Sequence, residues 1–282
     1  MLARVPASSA NLGPGFDSLA VALTRYIDVS VHAAERFSIT SEGCGAGRFD
    51  DEHHLGARVA SKVLGHQRFS IHVRSEIPLS RGLGSSAALA LAAAAAAGSS
   101  AALALAADVD GHAENAAASM LGGLVVACTH ERSGVVARSL ALDPAWRFVV
   151  VVPDQELATA DARRVLPSQV PFKDAVHNVG AVALLLAGLA NRDDFVAGSM
   201  DDVLHQPYRM SLLPFAQPLL ARLRDAGAAG SCWSGAGSTM LALCEEATSG
   251  PVVRAAEEFL VDHSVSGVVW ELDADRRGLH VS

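Results

Sequence analysis

Residues 69–97 run through three textures, and their order leaves few folds open to the chain. Phe69-Ser70-Ile71-His72-Val73-Arg74 alternates apolar and polar residues, as a strand with one buried face does. Pro78-Leu79-Ser80-Arg81-Gly82-Leu83-Gly84-Ser85-Ser86-Ala87-Ala88 then turns into a helix made mostly of alanine. Glycines let a backbone come close to a ligand, and the two hydroxyls can bond phosphate or a metal. The helix start adds unpaired N–H groups and the positive end of its dipole. The segment reads as an anion site with a nucleotide phosphate as its guest. On this reading a side chain at Gly84 blocks the nucleotide and leaves the fold intact.

Two other phosphate loops share the glycine-rich turn before a helix. A Walker A loop needs a Lys ahead of Ser/Thr, and this loop has none. Gly82-Leu83-Gly84-Ser85-Ser86-Ala87 fits the permissive G-x-G-x-x-G/A dinucleotide string, but the preceding strand alternates. A first Rossmann strand, buried on both faces, is a continuous apolar run.

At 282 residues the chain is long for one core, so two joined domains are expected. The net charge of −8 offers no long-range attraction to nucleic acid, so any anion site must be local. Lys62 and Lys173 are the only lysines among 22 basic residues, which leaves phosphate chemistry to backbone N–H groups, arginine and a metal. Cys44, Cys128, Cys232 and Cys244 show no zinc spacing and read as reduced thiols, in keeping with a cytoplasmic protein. Met1 to Pro6 lacks the apolar core of a signal peptide. Residues 87–107 carry no charge, yet they are mostly alanine and broken by Gly98-Ser99-Ser100, so two packed helices are expected and not a membrane span.

Strand patterns dominate the first quarter, at 2–6, 27–32 and 37–40, followed by a helix over 53–64 and the strand at 69–74. After the helical region come strands at 124–128 and 135–140 and the apolar run Phe148 to Val152. Asp143-Pro144 before that run is the expected boundary, giving domains 1–143 and 144–282. The second part reads as helices over 159–165, 174–190 and 214–226, a strand over 239–244, a helix over 251–262 and a strand over 265–272. The class is α+β in layers.

Three further segments belong with the phosphate loop. They are Pro6-Ala7-Ser8-Ser9-Ala10-Asn11-Leu12-Gly13-Pro14-Gly15-Phe16-Asp17, Asp110-Gly111-His112-Ala113-Glu114-Asn115 and Ser234-Gly235-Ala236-Gly237-Ser238-Thr239. Together the four resemble the GHMP small-molecule kinases, and the first motif is most similar to the homoserine-phosphorylating branch. The resemblance runs from about Val5 to about Leu272. It implies a GHMP fold, with an N-terminal ATP-binding domain like the second domain of ribosomal protein S5 and a ferredoxin-like C-terminal domain. It also implies direct transfer of the ATP γ-phosphoryl group to the side-chain hydroxyl of L-homoserine, on the way to threonine, with no phospho-enzyme.

By the same resemblance Asn11 and Asp17 hold the acceptor amino acid, Asn115 positions its hydroxyl, and Arg163 and Arg209 take its carboxylate. Asn115 and Arg163 are the residues expected at the reacting groups. Gly235 and Gly237 join Pro78 to Ala88 around the nucleotide. Arg is suited to carboxylate because its planar fork makes two parallel bonds. Arg163 and Arg164 point about 100° apart on a helix, so only one should face the site. His112 reads as structural.

The chain departs from the family pattern where metal is held. The stretch from Ser86 to Asn115 is short, and the upstream Glu that pairs with the loop Ser is absent. Ser86 with Asp108 is the expected Mg²⁺ site, with Asp110 the milder alternative. Glu114 stands where Asp is usual, and Ser238 where Pro is frequent. The expected partners are ATP and L-homoserine, without nucleic acid or membrane, and with a homodimer as an assembly the chain allows. Another GHMP kinase, acting on a sugar, mevalonate or a cyclitol, is the nearest alternative. A non-catalytic nucleotide-binding relative that has lost its metal site is the other.

Overall fold

The computed structural model describes residues 1–282. β1 (Leu2–Ala10), buried throughout from Val5 on, and β2 (Leu19–Ala33), buried over its first five residues, pair antiparallel with a register shift between Pro6 and Ala7. Then come β3 (Ser38–Gly43), α1 (Leu55–Leu64) and β4 (Phe69–Ser75). β4 pairs antiparallel with β2 on one side and parallel with β3 on the other.

α2 (Ser85–Ala96) is the centre of the first domain. Every residue from Ala87 to Ala96 is buried, as expected of a helix that is apolar all round. Alanine pays no side-chain entropy and lets helices approach closely. α2 therefore packs on β1 and β2 with α1, α3 (Ala102–Asp110) and α4 (Glu114–Leu121) around it. It stops at Gly98, which takes a left-handed φ of 89°. The uncharged stretch over 87–107 thus forms the buried helix α2 and most of α3, which packs on it with Ala102, Ala106 and Ala107 buried.

β5 (Leu124–His130) and β6 (Gly134–Leu140) complete that sheet as a hairpin on β2. The second sheet begins with β7 (Trp146–Pro153), the apolar run seen in the sequence. It continues through α5 (Thr159–Arg164), α6 (Phe172–Ala190), α7 (Gln206–Arg209) and α8 (Ala216–Asp225). β8 (Gly230–Trp233), β9 (Met240–Glu245), α9 (Glu246–Asp262) and β10 (Gly267–Leu272) follow. The sheet order β10-β7-β9-β8 is the 4-1-3-2 arrangement of a ferredoxin-like layer. α6 is long and apolar enough to cross a bilayer, but Ala181, Leu185 and Leu189 bury one of its faces.

The last residues return to the first domain. β11 (His280–Val281) pairs with β1, and Asp275 accepts from the Tyr26 hydroxyl and the Gly278 N–H. Residues 273–282 of the second half therefore pack on the first sheet. β11, β8 and α7 have no counterpart in the sequence reading; each is four residues or fewer, too short to show a period.

Candidate active site

The four motifs meet between the two sheets on a polar cavity of about 650 Å³. Ser80, Gly82, Gly84, Ser85 and Ser86 line one end, and Asn11, Asp17, Asn115, Arg163, Arg209, Gly235 and Gly237 reach the same space.

At the loop end, Gly84 is the cap of α2 with φ 67°, and no side chain caps the helix. The first intrahelical bond runs from Ala88 N–H to Gly84 C=O, which leaves the N–H groups of Ser85, Ser86 and Ala87 for a ligand. The glycines themselves have a different reason from the one expected. A Cβ on Gly82 would lie 2.1 Å from the Ser234 carbonyl oxygen, and one on Gly84 would lie 2.2 Å from Ser8 Oγ. Protein atoms already exclude a side chain at Gly84, so the expectation that a larger residue spares the fold is corrected.

The rest of the loop divides by what each side chain touches. Arg81 donates to the carbonyls of Leu79, Pro153 and Asp154, so its guanidinium braces the domain junction and does not face a phosphate. The side chains of Leu83, Ala87 and Ala88 lie in the core. Pro78 lies outside the cavity lining, and Leu79 faces a second cavity of about 960 Å³. That cavity is more apolar, with Ile27, Phe49, Leu55 and Leu89 on its walls and His53, His54 and Cys44 at its edge. Ser80, Ser85 and Ser86 border both cavities, so the loop stands between an apolar and a polar space. The sequence reading missed the second cavity because its walls come from five separated elements, β2, β3, α1, β4 and α2, and the loops between them.

At the other end, Asp17 holds Arg163 through two hydrogen bonds of 2.6 and 3.1 Å. Both side chains are more than a third exposed, so the pair contributes only about 0.5–1 kcal/mol to stability and chiefly fixes geometry. Arg164 points outward to Asp161. Asn11, left-handed at φ 74°, donates to the Gly235 carbonyl and accepts from the Asp17 N–H, which ties the first motif to the last. Arg209 is 2 % exposed and spends two nitrogens on the carbonyls of Ala162 and Gly235. Burial, then the Arg163 charge, pulls it down to about 10, so it stays a cation at neutral pH. Asn115 Oδ1 accepts from Ser8, which turns its amide nitrogen toward the cavity.

His112 lies on the cavity wall, 2.6 Å from a Glu114 oxygen, and was not expected in the site. Burial alone would depress it, but the hydrogen bond and charge of Glu114, with Asp110 and Asp17, raise it above its ordinary value. Glu114 is 1 % exposed, and its Oε2 has no partner in the protein. Asp17, His112 and Glu114 bring donor atoms within 4.8 Å of one another.

Of the two acids at the end of α3, only one reaches the cavity. Asp108 is exposed and does not line the cavity, whereas Asp110 does. Residues two apart on a helix point about 200° from each other, so only one can face inward. Burial holds the Asp110 carboxyl above its usual range, a shift that a cation would reverse.

Residues 54–128 match the sequence pattern of the GHMP kinases N terminal domain, and residues 175–262 match GHMP kinases C terminal. The chain belongs to the GHMP kinase family. A homoserine kinase of Moorella thermoacetica is 37% identical over 272 residues, covering 90% of this chain and 92% of the relative. One of Desulfitobacterium hafniense is 36% identical over 293 residues, covering 99% and 98%. Among solved structures, homoserine kinase from Cytophaga hutchinsonii superposes with a TM-score of 0.86 at 26% identity, covering 100% of this chain and 97% of that one. This GHMP kinase thus has the α+β fold expected of it, with a family N-terminal layer and a ferredoxin-like C-terminal layer.

Proposed function

We propose that the chain transfers the γ-phosphoryl group of ATP to the side-chain hydroxyl of L-homoserine, giving O-phospho-L-homoserine for threonine biosynthesis. The observation that carries this is the bipolar cavity. Arg163 and Arg209 line it together with Asp17, which holds Arg163 at 2.6 Å, the partnerless Glu114 oxygen and Asn115. An amino acid presents a carboxylate and an ammonium together; a sugar or a cyclitol presents neither, and mevalonate lacks the ammonium. The full-length likeness to homoserine kinases supports the same acceptor.

Arg163 and Arg209 take the α-carboxylate, Asp17 and Glu114 take the α-ammonium, and Asn115 donates to the acceptor oxygen. ATP lies along the loop, its purine in the apolar cavity and its phosphates on the N–H groups of Ser85, Ser86 and Ala87. Ser86 and Asp110 share the cavity wall and fit an oxygen-ligand Mg²⁺ site. That ion supplies charge neutralisation for the transferring group. Catalysis rests on holding hydroxyl and phosphate in line in a preorganised field.

A coupled ADP-release assay over L-homoserine, mevalonate, a hexose and a cyclitol, with and without Mg²⁺, tests the reading. Turnover is expected with L-homoserine and Mg²⁺. Turnover with an uncharged acceptor instead would reassign the substrate, and ATP binding with no turnover on any acceptor would make the chain a non-catalytic relative.

A further inference from the structure

The segment Asn11–Asp17 is held from behind, outside the cavity, by two side chains of the second half. His205 is 0 % exposed, and its Nε2 lies 2.8 Å from the Gly13 carbonyl oxygen. A carbonyl can only accept, so Nε2 carries the proton and Nδ1, which has no partner, does not. The ring also stacks on Phe16, with centroids 4.7 Å apart. Asn178, 3 % exposed on α6, donates from Nδ2 to the next carbonyl, that of Pro14, at 2.8 Å, and its Oδ1 accepts from the Val203 N–H.

These bonds act on a segment that would otherwise relax. Asn11, Leu12 and Asp17 take φ values of 74°, 50° and 53°, a region that costs a non-glycine residue about 1 kcal/mol or more. Such a conformation persists only where its surroundings over-determine it. Phe16 sits in turn under both acceptor arginines, 5.6 Å from Arg163 and 5.3 Å from Arg209. A shift of the Gly13 and Pro14 carbonyls therefore moves Asp17, Phe16 and the two cations together. Asp202, with Oδ2 3.5 Å from the same Nε2, keeps the imidazole in register. Its oxygens accept the N–H groups of Leu204, His205 and Gln206 and so fix the start of α7.

We propose that His205 and Asn178 are positioning residues for the acceptor, clamping two successive carbonyls so that Asp17 and Phe16 are held in the conformation that binds it. The proposal rests on the acceptor reading above, and its test has one arm that does not. His205→Phe keeps the stack and loses the donor, whereas His205→Gln restores an N–H without the ring. In steady-state kinetics, His205→Phe is expected to raise KM for L-homoserine about tenfold, the loss of one buried hydrogen bond, with KM for ATP within about twofold. His205→Gln is expected to recover part of that loss, and Asn178→Asp, which puts a carboxylate against the Pro14 carbonyl, to behave like His205→Phe. The acceptor-independent arm is amide hydrogen exchange in the ligand-free protein. Exchange in a peptide covering 12–18 should quicken in His205→Phe while α2 peptides keep the wild-type rate. Unchanged exchange over 12–18 overturns the clamp whichever acceptor the enzyme uses. Equal losses in both KM values together with faster exchange throughout the chain would make His205 a fold residue and overturn it as well.

Discussion

Gly84→Ala is the sharpest probe of how the phosphate loop is built. The new methyl would have to sit at φ 67°, where a β-carbon costs about 1–2 kcal/mol. It would also lie 2.2 Å from Ser8 Oγ and 3.1 Å from Asn115 Oδ1, so Ser8 must swing away and give up its 2.9 Å bond to Asn115. Leaving that buried acceptor unpaired adds about 1–3 kcal/mol. The sum, about 2–5 kcal/mol, is a large part of the stability of an ordinary domain. Urea melts followed by tryptophan fluorescence would read it, in a cycle with Ser8→Ala. Ser8→Ala should cost about 1–2 kcal/mol alone and close to nothing on top of Gly84→Ala, because the bond is already lost there. Turnover should fall as well, since Asn115 loses the partner that aims its amide. Additive melts would show that Gly84 and Ser8 do not touch. Wild-type stability with lost ATP affinity would restore phosphate as the reason for the glycine.

Arg163→Ala should lower kcat/KM for L-homoserine by about 10- to 100-fold, the loss of a charged hydrogen bond, while Arg164→Ala, whose partner is the exposed Asp161, should stay within about twofold; the reverse order would sink the assignment of Arg163. Asp110→Asn should raise the Mg²⁺ concentration needed for half-maximal rate, and Asp108→Asn should not, because only Asp110 lines the cavity; a Mg²⁺ titration in which Asp108→Asn is the sensitive variant would return the site to Asp108. His205 titrates near 4 in the fold, lowered from 6.5 by burial, so below pH 6.5 the unfolded chain takes up its proton first. Its contribution is present above pH 6.5 and is lost as pH falls toward 4, so the stability margin of wild type over His205→Gln should shrink by about 3 kcal/mol across that window. A margin independent of pH would mean that the imidazole is not buried neutral.

What the sequence made legible is what local pattern encodes. An alternating strand, a glycine turn and an alanine run specify β4, the loop and α2, because each texture has its own period or backbone demand. The strand, helix, strand order over 239–272 does the same for β9, α9 and β10, while β8 is too short to show a period. Facts set by distant partners were not legible. Gly82 and Gly84 look like ligand glycines in one dimension, and only the fold shows Ser234 and Ser8 against them. Arg81 looks like a phosphate ligand until the carbonyls of Pro153 and Asp154 are seen to occupy it. Asp108 and Asp110 are equivalent by spacing, and helix phase separates them. His112 looked structural because its partner Glu114 is two residues away, a separation that says nothing of the cavity both reach.

The charges in that cavity explain how a protein of net charge −8 can hold a phosphate donor beside an amino acid. Arg163 and Arg209 share the polar cavity with the acidic residues Asp17, Asp110 and Glu114 and with His112, whose carboxylate neighbours raise it above its ordinary value, so both signs of charge meet there. A zwitterion entering it changes no net charge. On the proposed assignment it would exchange the Asp17–Arg163 pair for one contact to each member, so the acceptor end would neither need long-range attraction nor add repulsion to the triphosphate. The donor end is different, because its N–H groups are uncharged and must be close. The loop glycines pack against Ser8 and Ser234, which fixes the start of α2 and its free N–H groups, the donors that the proposed phosphate site uses where the loop has no lysine. Division of labour between an acceptor end of mixed charge and a dipolar donor end thus follows from the composition of the chain as much as from its fold.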